Sequence, residues 1–529
     1  MATASHECDV IVVGAGPVGL MLAGELALAG VTVTVVEERT EPTTESRAST
    51  LHARTMEILD MRGLLTPLEG APRQGAGHFG GIPMDLSGDS PLCGQWKVAQ
   101  ARTEELLAHR ARRLGARIER GHRLAGWTTH THAGAAASEA DGGWVKARTH
   151  SAGGPRTWMG RYLVACDGQE STVRTRSGAA FPGHSARREL LRADVTGIAI
   201  PDRRFQRLPR GLAIAATREG VTRVMVHAFG SPPPARTQDP DFSEIAQAWK
   251  HVTGEDLTSG TPLWANSFGD ANRQLEHYRS GRILFAGDAA HQQMPIGGQA
   301  LNLGVQDAFN LGWKLAAHLR HGAGDHLLDS YSHERRTVGA RVLANIEAQA
   351  LLLLGDPDIE PVRETLAALL ALEPVRARLA GMISGLDIHY TPTPAAAGQS
   401  APEGAHPLVG SRLPPHAAQP LPGAQDTTTA AALQHSGRGL LLHLHPDGRP
   451  PRRHPLPPPG WAQRVDAAAL RPRPDGPLAG LARVLVRPDG YLAWAQAAPA
   501  PGTEAPAGAR AADDDRLQDA LGYWFGPPR

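Results

Sequence analysis

Only three cysteines, Cys8, Cys93 and Cys166, occur in the 529 residues. They are widely spaced, match no metal-ligand pattern and leave an odd one. That excludes a disulfide framework and fits free thiols in a reducing cytoplasm. An excess of charge of one sign is also missing. Lys and Arg total 54 against 53 Asp and Glu, a formal net charge of +1, so neither nucleic acid nor an anionic membrane surface is implied as a partner. No run of about 18 apolar residues occurs, and no membrane span is expected. The N-terminus reads as strand, glycine turn and helix and not as a basic-flanked signal sequence. Internal repeats of useful length are absent, and the 24 histidines are scattered. The length allows roughly three domains and an ample core.

What is present begins at Asp9–Val13, a short apolar strand followed by Gly14-Ala15-Gly16-Pro17-Val18-Gly19 and an Ala/Leu-rich helix. Gly30 ends that helix, Val31–Val36 form a second strand, and Glu37 stands at its end. Glycine at 14 permits the tight turn, at 16 lets a pyrophosphate approach, and at 19 lets helix pack on strand. The helix N-terminus takes the phosphate charge, and Glu37 can accept from ribose hydroxyls. This spacing predicts a dinucleotide-binding fold, for FAD or NAD.

A second block some 270 residues downstream reads GRILFAGDAAHQQMPIGGQALNLGVQDAFNLGWKL. An apolar run, Ile283–Ala286, enters a turn with Asp288, an acceptor suited to ribityl or ribose hydroxyls. After Pro295, Gly297-Gly298 lets backbone approach a planar ring. A helix then starts, with Ala308, Leu311, Leu315 and Leu319 on one face, and its N-terminus points positive dipole at whatever the loop holds. By contrast Gly75-Ala76-Gly77-His78-Phe79-Gly80 repeats the glycine pattern without a preceding apolar strand, and Pro83 interrupts a following helix. It reads as a loop. One dinucleotide fold is therefore expected, and a nicotinamide has to visit without a Rossmann domain of its own.

With both halves in hand the chain resembles the FAD-dependent aromatic monooxygenases of the para-hydroxybenzoate hydroxylase fold, most closely the aromatic polyketide and angucycline hydroxylases. The resemblance is carried by Glu45-Ser46-Arg47, Leu51–Glu57, Gly77–Pro83, Gln100 with Thr103-Glu104, Tyr162–Gly168 with Ser171 and Val173-Arg174, and Leu379–Leu386. It implies that Gly14, Gly16, Pro17, Gly19 and Glu37 hold the adenosine and pyrophosphate, and that Arg47 and Gln100 contact the pyrophosphate and ribityl portions. It further implies that Asp167 and Gly168 support flavin and nicotinamide, and that Asp288 holds the ribityl chain. Pro295, Gly298, Gln299, Ala300 and Leu301 would then border the isoalloxazine. Two departures stand out. The family loop usually reads Gly-Gln-Gly-Met/Leu-Asn where this chain has Gly298-Gln299-Ala300-Leu301-Asn302, and Gln169-Glu170 replaces a frequent Gly-Arg. A Cβ at 300 is harmless at negative φ and costly at positive φ.

The fold expected is α/β. A discontinuous Rossmann-like FAD domain spans 1–75, 97–180 and 271–390, with a substrate-binding sheet inserted at 76–96 and 181–270. A linker at 391–435 leads to a thioredoxin-like domain at 436–529 that lacks the cysteines for dithiol chemistry. Strands at 211–216 and 221–230 flank Arg218-Glu219-Gly220 as a hairpin, with Val224, Val226 and Ala228 on one face and Met225, His227 and Phe229 on the other. One face could line a cavity, or both could be covered. Candidate substrate contacts are His78, Phe79, Trp96, Met225 and His227, the loop from His78 to Trp96 by resemblance only. The resemblance implies that NADPH or NADH reduces FAD, O2 adds at flavin C4a, and the hydroperoxide oxygenates an aromatic polyketide in antibiotic biosynthesis. Such chemistry belongs to the flavin, and no catalytic side chain is assigned. Baeyer–Villiger oxygenation of a ketone and a non-oxygenating flavin-binding role both stay open, as do nicotinamide preference and oligomeric state.

Overall fold

Six strands drawn from distant parts of the chain form one sheet. Its strand order is Arg279–Ser280, Ile283–Phe285, Tyr162–Ala165, Val10–Val13, Val33–Glu37 and Arg117–Arg120, parallel except for the first pair. Val10–Val13, Tyr162–Ala165 and Ile283–Phe285 are buried throughout, the pattern of strands covered on both faces. In register, Val13 lies beside Val36 and Ala165, and Ala165 beside Phe285. The residues just past those ends, Gly14, Glu37, Asp167 and Asp288, therefore share one edge of the sheet, where ligands of open α/β folds bind. The computed structural model describes residues 5–43, 49–130, 142–391 apart from 233, 235 and 237, then 406–422, 429–449, 456–499 and 507–529.

The Pro17–Leu28 helix crosses the Gln299–His321 helix closely enough that a Cβ on Gly312 would lie 2.5 Å from Glu25 Cβ. Ala308, Leu311 and Leu315 are buried and Leu319 partly so, but nearly every residue from Asn302 to His318 is also buried. This is a central helix and not a one-sided amphipathic one. Beside it runs Asp325–Leu354, long and apolar enough by length and composition to cross a membrane. In this fold 56% of its apolar window is buried inside the protein.

The inserted sheet is antiparallel, ordered Arg203–Leu208, Gly211–Arg218, Val221–Ala228, Glu189–Thr196 and Thr261–Gly269. Glu219 and Gly220 have φ of 51° and 79°, the left-handed pair that closes a two-residue hairpin. One correction concerns Phe242–Thr253, a helix in a region expected to be all strands. Asp241 caps its N-terminus by accepting from Glu244 N, and Ile245, Trp249 and Val252 form its buried stripe. That stripe packs on Val224 and Val226, while Met225 and Ile214 pack against Ile346 and Leu353 of the long helix. Over these residues both faces of the sheet are covered. A second correction concerns Gly75–Gly80, where Ala76–Phe79 pairs with Ile82–Asp85 as a hairpin instead of a loop.

The C-terminal domain is a sheet ordered Ala418–Gln419, Val465–Pro472, Gly439–Leu444, Leu481–Val486 and Leu492–Ala497. Gly439–Leu444 and Val465–Pro472 are parallel, and the other pairs antiparallel. The Ala507–Phe525 helix covers it through Leu517, Leu521, Trp524 and Phe525, a thioredoxin-like arrangement without cysteine. The expected linker is shorter than 391–435, because Leu413, Ala417 and Ala418 belong to this domain's core and Ala418–Gln419 to its sheet.

Candidate functional site

The glycine turn is shaped by what surrounds it. Gly14 has φ of 103°, and a Cβ there would sit 2.3 Å from Cys166 O; one on Gly19 would sit 2.0 Å from Gly14 O. Gly16 differs, since a Cβ there meets nothing within 4 Å. Its open side faces a cavity, the close approach that a pyrophosphate requires. Glu37 accepts from Ala15 N at 2.6 Å and from Arg39 N at 3.0 Å, so its carboxylate stands at the lip of the turn. A cavity of roughly 370 Å³ is lined by Gly14, Glu37, Arg39 and Asp167. A second, of roughly 700 Å³, is lined by Pro17, Asp288, Pro295, Ala300 and Leu301. Gly16, Gln100, Cys166, Gly168 and Gln169 line both, which makes one elongated site.

The Asp-Gly and Gly-Asp turns meet inside it. Asp167 accepts from Ser171 Oγ at 2.6 Å and from Val173 N at 3.1 Å, and so braces the start of the Thr172–Ser177 helix, whose N-cap is Ser171. Burial pushes its carboxyl up, with those hydrogen bonds opposing. Arg174 donates to the Asp288 and Ala289 carbonyls at 3.1 Å each and to Gln169 O, its guanidinium lying 4.2 Å from the Phe181 ring centroid. One guanidinium thus ties the two turns together. Burial also pushes the Asp288 carboxyl up.

Beyond Pro295, Gly297 and Gly298 take φ of 64° and 71°. The only non-glycine residues at positive φ among the described residues are Phe205 and Glu219. Ala300 lies inside the Gln299–His321 helix, so its Cβ carries no backbone strain. The loop is held from below. Asn302 Nδ2 donates to Gly298 O at 2.7 Å and Thr50 O at 3.0 Å, while its Oδ1 accepts from His52 N at 2.8 Å. Burial brings the His52 pKa down to about 4, so the neutral ring donates from Nε2 to Gly297 O at 2.6 Å. Gln299 turns its side chain away, toward Asn345 at 3.5 Å. Gln100 opens the Gln100–Arg113 helix and donates to Glu104 at 2.8 Å. Arg47 lies outside the described residues.

The candidate substrate contacts are not brought together. His78 is buried beside Phe205 and accepts from Gly81 N at 3.2 Å; Phe79 packs with Met84 and Ile383. Trp96 donates to Leu92 O at 3.0 Å under the Arg73 guanidinium. Met225 is partly buried against the long helix, and His227 is held between the Glu189 and Leu354 carbonyls at 2.7 and 3.1 Å. None of the five is among the residues lining either cavity. Arg192, Asn266 and Phe268 of the inserted sheet instead line the larger cavity together with Asp288. Arg192 Nε donates to Asn266 Oδ1 at 3.1 Å, and its guanidinium lies 4.9 Å from the Trp264 centroid and 5.3 Å from that of Phe268. Sequence reasoning missed this group because strand alternation gives the face of a residue and not what covers it.

An open Gly16, two helix N-termini and acceptors at both ends fit a dinucleotide, and the glycine-bordered Pro295–Leu301 loop fits a flat ring. Comparison with known proteins agrees. The profile described as "FAD binding domain" matches residues 7–346, and that described as "Aromatic-ring hydroxylase, C-terminal" matches residues 406–528. The chain belongs to the FAD-dependent aromatic-ring hydroxylases. It is a flavin monooxygenase by fold and by sequence, similar at 39% identity to the 12-dehydrotetracycline 5-monooxygenase/anhydrotetracycline 6-monooxygenase of Streptomyces rimosus, over 98% of this chain and 99% of that one. It is also similar to the crystal structure of CabE, an aromatic hydroxylase from angucycline biosynthesis. There the identity is 41% and the TM-score 0.83, covering 99% of this chain and 100% of that chain. A third relative, the dialkyldecalin synthase of Streptomyces rugosporus, is 36% identical over 98% of this chain and 99% of its own.

Proposed function

We propose that this hydroxylase oxygenates an aromatic polyketide of angucycline type in antibiotic biosynthesis, consuming NADPH or NADH and O2 in the cytoplasm. The observation that carries the reading is the single elongated site in which Gly16 and Asp288, from opposite ends of the domain, share walls with Arg192, Asn266 and Phe268 of the inserted sheet. Bound FAD supplies the electron transfer and oxygen chemistry. The protein binds, orients and excludes water. Glu37 and Asp288 would accept from the cofactor's hydroxyls, the Pro17–Leu28 helix N-terminus would hold its phosphates, and the backbone of Gly298 to Leu301 would border its ring. Phe268 offers an apolar surface to a polycyclic substrate, and Arg192 with Asn266 offers hydrogen bonds to its oxygens. An electron-rich phenol needs no protein nucleophile.

The visible spectrum of the purified protein, followed by NADPH consumption under O2 with an angucyclinone added, tests this. Flavin bands near 370 and 450 nm are the family expectation. Those bands, substrate-stimulated consumption and a product heavier by one oxygen would support the reading; a protein that FAD cannot reconstitute would end it. A second reading, a flavoprotein that shapes a polyketide without oxygenating it, is favoured by the similarity to a dialkyldecalin synthase over nearly the whole chain. Bound flavin and a product of unchanged mass would select it.

A further inference from the structure

We infer that Asp307 is a positioning residue for the cofactor turn, holding Asp288 in place from behind; the inference rests on the FAD reading above. Asp307 is fully buried on the Gln299–His321 helix and lines neither cavity, so it does not act by contact with the ligand. Its Oδ2 accepts from Gly287 N at 3.1 Å and His291 Nε2 at 2.8 Å, and its Oδ1 from Arg335 Nε at 2.7 Å. Gly287 immediately precedes Asp288, so this carboxylate fixes the backbone at the start of the short Gly287–Ala289 helical turn. Arg174 holds the next two carbonyls of the same turn, those of Asp288 and Ala289, at 3.1 Å each.

The direction of the Asp288 side chain is therefore set by two clamps, one acidic and one basic. Gly304 on the same helix lets them close, since a Cβ there would lie 3.1 Å from Gly287 Cα. Arg335 extends the clamp, donating also to Leu303 O at 3.2 Å and to Tyr390 Oη at 2.9 Å. Tyr331 Oη adds a bond to Phe285 O at 2.6 Å on the strand that leads into the turn. The cofactor turn is thus referenced to the Asp325–Leu354 helix and not only to its own strand.

An Asn at this position keeps the shape but has one acceptor oxygen where the carboxylate has two. Its NH2 must then face either the Gly287 and His291 donors or the Arg335 donor, which leaves buried donors opposed. The test is FAD titration of apoprotein by flavin fluorescence, with the melting temperature recorded with and without FAD. Asp307→Asn is expected to weaken FAD binding at least about tenfold and to shrink the FAD-induced rise in melting temperature. Arg335→Lys, which retains the charge and one bond to Asp307, is expected to fall between it and wild type; it decides the matter where Asp307→Asn does not fold. A folded Asp307→Asn, or failing that an Arg335→Lys, whose FAD affinity stays within about twofold of wild type would overturn the inference alone. Wild-type protein that takes up no FAD would overturn the flavin reading and this inference with it.

Discussion

Glu334 and Arg487 meet in the interior, with Arg487 Nη1 2.6 Å and Nη2 2.9 Å from the two carboxylate oxygens and both side chains 2% exposed. One belongs to the long helix beside the cofactor site, the other to the C-terminal domain. Lys314 also donates to Glu334, at 2.7 Å, and Arg487 is held by Asp489. Arg54 donates to Asp489 O at 2.7 Å and Arg62 to Pro488 O at 3.0 Å, so one turn of the C-terminal domain is built into the cofactor domain. Removing one partner of such a network strands the other charges. Glu334→Gln is expected to cost about 3–5 kcal/mol, seen as a lower melting temperature by calorimetry. A shift of under 1 °C would show that the network does not join the domains.

The same carboxylate sets an acid limit. Burial raises its pKa, but Arg487 and Lys314 outweigh burial and hold it at about 2. A depressed carboxylate contributes its stability above the unfolded value, near 4.5, and loses it as pH falls toward 2. Urea unfolding of wild type should weaken through that window, and that of Glu334→Gln should weaken less. Parallel profiles would remove Glu334 from the account.

Histidines act at milder acidity. Burial brings both His52 and His78 to about 4. Between pH 6.5 and 4 each is charged in the unfolded chain and neutral in the fold, so stability falls with pH in that range, by at most about 1.4 kcal/mol per unit for each. His52 alone touches the cofactor loop, through Gly297 O. FAD affinity should therefore hold between pH 7 and 5 and fall as pH passes down through about 4 in wild type and in His78→Gln, and fall less in His52→Gln. Equal slopes in all three would show that His52 does not govern the loop.

Local motifs were legible in the chain because their chemistry is local. Gly14–Gly19 with Glu37, and the run from Ile283 to Asp288, announce turn, strand and acceptor within a few residues, and the parallel register places them on one edge. Less was legible where a residue's partner is distant. Nothing near His227 in sequence says that Leu354 O lies 3.1 Å from it, and nothing near Asp307 announces Arg335. The Phe242–Thr253 helix did carry a signal, an Asp241 cap with Gly254 behind, which the surrounding strand pattern masked.

Arg192 gives the polyketide proposal a direct handle. Its guanidinium sits at the cavity wall between two rings with Asn266 on Nε, a planar donor suited to a phenolic or keto oxygen. Arg192→Gln is expected to raise the KM for an angucyclinone about tenfold while leaving FAD affinity within about twofold. Equal KM values would move substrate recognition away from this wall.

Ala300 supplies the sharpest separation between what the loop sequence suggested and what its conformation permits. The positive φ values fall on Gly297 and Gly298, and a Cβ on Gly298 would lie 2.9 Å from Thr50 Cβ. Ala300 already has helical backbone, so glycine there gains no conformation it needs and costs at most about 1 kcal/mol of helix propensity. Ala300→Gly should leave FAD affinity within about threefold of wild type, whereas Gly298→Ala should weaken it more than tenfold, because strain and contact both act at 298. FAD titration of the two variants decides it: a large gain in affinity for Ala300→Gly would mean that the methyl group, which borders the larger cavity, obstructs the flavin ring.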